Sequence, residues 1–147
     1  MKSGKNGGRM DAKVTWKNGL SFTGAAASGF EVPMGTSVEH GGAGDGTSPM
    51  EMVLMGLGGC SAMDVISILE KKRQEVTGFE VLVHGDRAED HPKVFTKINV
   101  EYVVTGHGVD PEAVKRAVEL SETKYCSVMA MLRKTADISI TITVKEA

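Results

Sequence analysis

The run Met50–Leu69 (MEMVLMGLGGCSAMDVISIL) decides most of what this chain can be. It is apolar on nearly every helical face. It begins at Ser48-Pro49-Met50-Glu51, where serine suits the N-cap, proline the first helical position and glutamate the third. That spacing predicts a helix from Pro49 to about Lys72 or Gln74. A helix hydrophobic all round is buried on every side or spans a membrane. Glu51, Asp64 and Glu70 break the run and Gly56, Gly58 and Gly59 sit inside it, so a buried central helix is expected rather than a span. One small sheet cannot cover all its faces, which calls for a second subunit.

The rest of the chain supplies short strands. Ala12–Lys17 and Leu20–Thr23 alternate around Asn18-Gly19, a hairpin signal, and Phe30–Met34 reads as an edge strand marked by Pro33. Gly35–Thr47 is a loop by composition. Gly78–Arg87 and Val94–Thr105 read as a hairpin. Asp110-Pro111 opens a second helix to about Glu122, Ser127–Lys134 a third, and Asp137–Val144 is a last alternating strand. Strand runs separated by helices without regular alternation indicate an α+β fold, with the long helix packed on antiparallel sheets. Residues 1–9 (MKSGKNGGR) read as a disordered extension and 10–147 as one domain.

Composition narrows the function classes. Of 147 residues, 17 are Lys or Arg and 19 Asp or Glu, a net charge of −2 that gives no reason to expect a nucleic-acid or membrane-surface partner. No cofactor is expected. Two cysteines make neither a disulfide framework nor a zinc motif, and with no secretory signal in view they fit a reducing cytoplasm. His84 and His91 match no metal spacing, so no metal site is expected. The glycine loop lacks the Gly-Lys-Ser/Thr ending of a phosphate cradle.

The two thiols carry the possible chemistry. Cys60 follows Gly58-Gly59 in mid-helix, and Gly56, one turn earlier, leaves it less shielded. Read locally, Cys60 is either a small core residue or a reactive thiol. Cys126 precedes a helix start with Lys124 close in sequence, a setting that favours thiolate. If the fold brings them together, one thiolate can attack a peroxide and the other can condense with the sulfenic acid to a disulfide. Met52, Met55, Met63 and Met129 flank the cysteines and, with Gly56, suit a pliable pocket for an apolar substrate, although core filling is the more common explanation of helical methionines.

Two motifs carry a resemblance. SPMEM…GGCSA (residues 48–62) is similar to the first cysteine motif of the OsmC/Ohr family, the osmotically inducible and organic hydroperoxide resistance proteins, and SETKYCSV (residues 121–128) resembles the second. The likeness runs from about Met10 to Val144 and is closest to the YhfA-like branch. It implies an α+β, intertwined homodimer with two cysteine-bearing helices at its centre. It also implies reduction of organic hydroperoxides, with Cys60 as the peroxidatic thiol, Cys126 as the resolving one and an external dithiol as reductant. The family pairs a loop arginine with a helix-start glutamate. Glu51 matches the glutamate, and His40 stands at the arginine position, with no arginine between Met10 and Ile68. Glu51 and Cys60 lie nine positions apart, about 13 Å along a straight helix. The missing arginine also suits a different protein of this fold, one that binds an apolar ligand at the dimer interface or senses redox state without turnover.

Overall fold

In the computed structural model, residues 8–147 are described, so most of the expected extension 1–9 lies outside the described residues. The chain divides into one unit that ends at Met52 and a second, Val53–Ala147.

The first unit holds an antiparallel sheet of β1 (Ala12–Asn18), β2 (Ser21–Ala26) and β3 (Glu31–Met34), in that order. Asn18 pairs with Ser21, so the hairpin turn is Gly19-Leu20, one residue later than Asn18-Gly19. Gly19 takes the left-handed conformation there (φ 51°), and Trp16 Nε1 donates to its carbonyl at 2.9 Å. The loop after β3 contains a short helical turn at Val38–His40 and then folds back along the strand. Thr47 N–H reaches the Pro33 carbonyl at 3.0 Å, and Gly35 N–H reaches the Thr47 carbonyl at 3.1 Å. Ser21 Oγ, 2.9 and 2.8 Å from the two Asp45 carboxylate oxygens, ties the loop to β2. Ser48 and Glu51 make the reciprocal capping bonds that their spacing predicts, at 3.0 and 3.3 Å, and start α1 (Pro49–Lys71).

The second unit contains the rest of α1, then β4 (Glu75–Arg87), β5 (Phe95–His107), α2 (Pro111–Leu120), α3 (Ser127–Leu132) and β6 (Asp137–Glu146). β4 and β5 pair antiparallel along their length, but β6 runs parallel to β5, from Ile98 opposite Ile138 to Val104 opposite Val144. The sheet is therefore mixed, which corrects the expectation of antiparallel sheets alone. Residues 108–136, carrying α2 and α3, form a crossover long enough to return the chain to the same end of the sheet. The alternation of DISITITV marks a strand and says nothing about its direction.

Alternate residues of the central strand β5 (Ile98, Val100, Tyr102, Val104) are buried. Leu57, Ser61, Val65 and Leu69 of α1 recur every four residues and are also buried, as are Val114, Ala117 and Val118 of α2. Gly58 lets α1 close on β4, since a Cβ there would sit 3.0 Å from a Val83 methyl. Other faces of α1 are left uncovered by this one chain. Met55 and Met63 are 57% and 73% exposed, and a Cβ at Gly56 or Gly59 would meet nothing within 4 Å. By length and composition α1 is apolar enough to cross a membrane, yet one of its faces packs on a sheet.

Gly46 has no room for a side chain in the returning loop, because a Cβ would lie 2.7 Å from backbone atoms of Pro33 and Met34. Backbone cannot swing aside as a side chain can. Gly46→Ala should cost about 1–3 kcal/mol in a urea unfolding titration, and an unchanged midpoint would show that the loop does not hold this path.

Candidate active site

Cys60 lies in the middle of α1 and is partly exposed, whereas Cys126 is the N-cap residue of α3 and only 3% exposed. Both are free thiols. The fold makes neighbours of them although they are far apart in the chain, close enough for Cys60 to act on the titration of Cys126. The Cys126 thiol is pushed up to about 11. Burial is the main cause. The Met129 N–H, donating to its sulfur at 3.4 Å, pulls the other way, and Cys60 and Asp64 add smaller upward pushes. This overturns the local expectation that Cys126 is the easier thiolate. The helix start does offer its N–H, but desolvation wins. Lys124, the expected cation, instead stands over the Tyr125 ring, 5.3 Å from its centre.

Beside the thiols runs a buried polar chain that the motifs did not reveal. Tyr102 Oη is 2.6 Å from Ser61 Oγ, Ser61 Oγ is 2.8 Å from Ser121 Oγ, and Ser121 Oγ donates to Asp64 Oδ2 at 2.9 Å. The carboxylate only accepts, so the direction of every bond is fixed. Ser121 gives its single proton to Asp64, Ser61 donates to Ser121, and Tyr102 donates to Ser61. Tyr102, Ser61 and Ser121 are completely buried. Burial holds the Tyr102 hydroxyl above its ordinary range, partly offset by its bond to Ser61. One signal was available: Tyr102 is the polar-tipped member of an inward-facing β5 series, and a buried tyrosine hydroxyl requires a partner.

The remaining candidates take no part in this hydrogen-bonded chain. His40 and Glu51 belong to the first unit. His40 Nδ1 is 2.7 Å from Ser37 Oγ, and Glu51 bonds to Ser48, so the bonds each makes are local ones. The Ser48 backbone N–H, and after it the Ser48 side chain, lower the Glu51 carboxyl. Met55 lines an open, largely apolar groove of about 380 Å³ with Leu54, Gly58, Gly59, Phe79 and Val83. Met63 and Asp64 border another hollow with Lys71 and Tyr125. Met52 lines a cavity in the first unit, and Gly56 stands open on α1. Met129 is fully buried, which makes it a core residue rather than part of an open pocket wall. Among the described residues, no three His, Cys, Asp or Glu side chains gather in a way that could hold a metal ion.

Comparison with known proteins agrees with this architecture. Residues 42–141 match the model of the OsmC-like protein family. Protein YhfA of Escherichia coli strain K12 is 50% identical over 131 residues, covering 88% of this chain and 94% of that one. A hypothetical protein from Aquifex aeolicus VF5 superposes with a TM-score of 0.84 at 34% identity, covering 95% and 98% of the two chains. An organic hydroperoxide resistance protein OsmC from Legionella pneumophila shares the fold at a TM-score of 0.69 and 15% identity, with 95% and 99% covered. The chain is a member of the OsmC-like family.

Proposed function

We propose that this protein reduces organic hydroperoxides through a two-thiol cycle, with Cys60 attacking and Cys126 resolving. The observation that carries the proposal is the pairing of an accessible thiol with a buried one whose proton is held up to about 11. In the first step the Cys60 thiolate attacks a peroxide oxygen, the O–O bond breaks, the alkoxide takes a proton and leaves as alcohol, and Cys60 becomes a sulfenic acid. In the second, the Cys126 sulfur attacks the Cys60 sulfur. The S–O bond breaks, and hydroxide leaves as water with the Cys126 proton. An external dithiol then restores both thiols and becomes a disulfide itself. A resolving thiol that stays protonated at neutral pH brings that proton with it. Glu51 and a protonated His40 are assigned the orientation of the peroxide, the role the family gives its glutamate and arginine.

The active form in this proposal is a homodimer in the cytoplasm. The open faces of α1, with Met55 and Met63, and the exposed Leu82 of β4 leave apolar surface suited to a second copy. The apolar groove at Leu54 and Phe79 supports a second reading, in which the dimer binds an apolar ligand without turnover.

Adding an organic hydroperoxide to the reduced protein should remove two hydrogens per chain as the Cys60–Cys126 disulfide forms. Cys60→Ser should abolish peroxide consumption, and Cys126→Ser should leave a Cys60 that oxidises further to sulfinic acid. Peroxide left intact with Cys60 still reduced would favour the binding reading.

Sedimentation should give twice the 15.6 kDa chain mass. Gly56→Ala tests the interface in a second way. In the lone chain the alanine meets nothing, and it should stabilise the helix by up to about 1 kcal/mol. If a partner helix packs there, dimerisation should weaken instead.

Cys126 also predicts a pH dependence. Its thiol titrates higher folded than its ordinary 9.0, so its contribution to stability is complete below pH 9 and is lost as pH rises through about 11. The unfolding midpoint of the reduced protein should fall across that window more steeply than that of Cys126→Ser. Parallel curves would show that the buried thiol is not the group responsible.

A further inference from the structure

We infer that the buried Ser61–Ser121 hydrogen bond is a clamp that sets the two cysteines in register for disulfide formation, which makes both serines positioning residues. The inference rests on the two-thiol reading above. Ser61 is joined to Cys60 by a peptide bond, and its Oγ is 2.8 Å from Ser121 Oγ. The Ser121 carbonyl in turn accepts the Cys126 backbone N–H at 2.8 Å. Cys60, Ser61, Ser121 and Cys126 thus lie on one short continuous path, joined by a peptide bond and two hydrogen bonds.

The path crosses from α1 to the wide helical turn Ser121–Tyr125, whose bonds span five residues. Such turns are uncommon, and here the turn ends at the backbone bond that holds Cys126. Ser121 is fixed further by its bond to Asp64, one turn beyond Cys60 on the same helix, so α1 grips it at two points. Both serines are fully buried, and a hydroxyl there that lost its partner would have no water to replace it. Tyr102 is bonded to Ser61 but stands outside this path. The clamp lowers the freedom the dithiol must give up when the sulfurs join, and so raises the effective concentration of one thiol at the other.

The disulfide forms by exchange with oxidised glutathione, in which two thiols are oxidised and one glutathione disulfide is reduced to two thiols. The test equilibrates the full-length protein in buffers of reduced and oxidised glutathione and counts disulfide by mass after alkylation. Wild type should reach a defined equilibrium constant. Ser61→Ala and Ser121→Ala should each weaken it roughly tenfold, about 30 mV toward easier reduction for a two-electron couple. The double variant loses the same bond once and orphans neither hydroxyl of the pair, so its shift should match the single ones rather than their sum, and it keeps the test open if a single variant folds poorly. Tyr102→Phe removes a buried hydrogen bond and should lower the thermal midpoint, yet leave the equilibrium constant within about twofold of wild type. If wild type forms no disulfide in any buffer, the two-thiol reading fails. If wild type forms it and the serine variants keep its constant, or Tyr102→Phe shifts it as far as they do, the clamp is overturned and the chain of hydroxyls is ordinary core support.

Discussion

The second unit is organised around a helix with more apolar surface than its own chain covers. Of the 23 residues of α1, only Leu57, Gly58, Ser61, Val65 and Leu69 are buried. Everything packed on that face answers to it. β4 comes close because Gly58 carries no side chain, and β5 turns its larger residues inward. The crossover that makes the sheet mixed also carries Ser121 and Cys126 to α1. The parallel β5–β6 pair and the second thiol's position are therefore one architectural event: a connection that returned directly as a hairpin would have no helices with which to bring Cys126 to Cys60.

Burial, more than helix geometry, separates the two thiols. An N-terminal helix position favours an anion by about 0.3–1 kcal/mol, and α3 is only six residues long. The Met129 N–H does reach the Cys126 sulfur, but the loss of water around that sulfur outweighs it. Lys124, which could have added a cation, spends its charge on the Tyr125 ring. Cys60 keeps part of its surface open. The proposed division into attacking and resolving thiols follows the exposure of each sulfur and agrees with the role the family motif gives it.

Local rules made much of the fold legible in the sequence. The Ser48–Glu51 capping box, Pro111 behind Asp110 and the alternation of β5 and β6 each predict the element they start or form. These signals live within a few residues, where backbone chemistry acts directly. The direction of β6 was not legible, because strand alternation is the same in parallel and antiparallel sheets. Nor was the turn phase at Gly19-Leu20, which depends on how Asn18 and Ser21 pair. The polar chain was hidden for a related reason. Ser61, Tyr102 and Ser121 are unremarkable residues one at a time, and their meaning lies in three bonds between distant segments. The two cysteine motifs were visible as motifs, but the balance between burial and helix start at Cys126 depends on packing that no local pattern records.

The glycines of α1 show where the chain's own packing stops explaining its sequence. Each costs about 1 kcal/mol relative to alanine in a helix interior. For Gly58 the return is contact with Val83. Gly56 and Gly59 have no such return, since a Cβ at either would meet nothing within 4 Å. Gly56 is one turn before Cys60 on the same face, where a larger side chain would stand in the approach to the sulfur. The same small residue would let another helix come close. Both explanations need α1 to be met by something outside its chain, a substrate in one case and a second copy in the other. They are compatible, because the apolar groove at Leu54 and Gly59 opens on the same helix and offers surface besides Gly56.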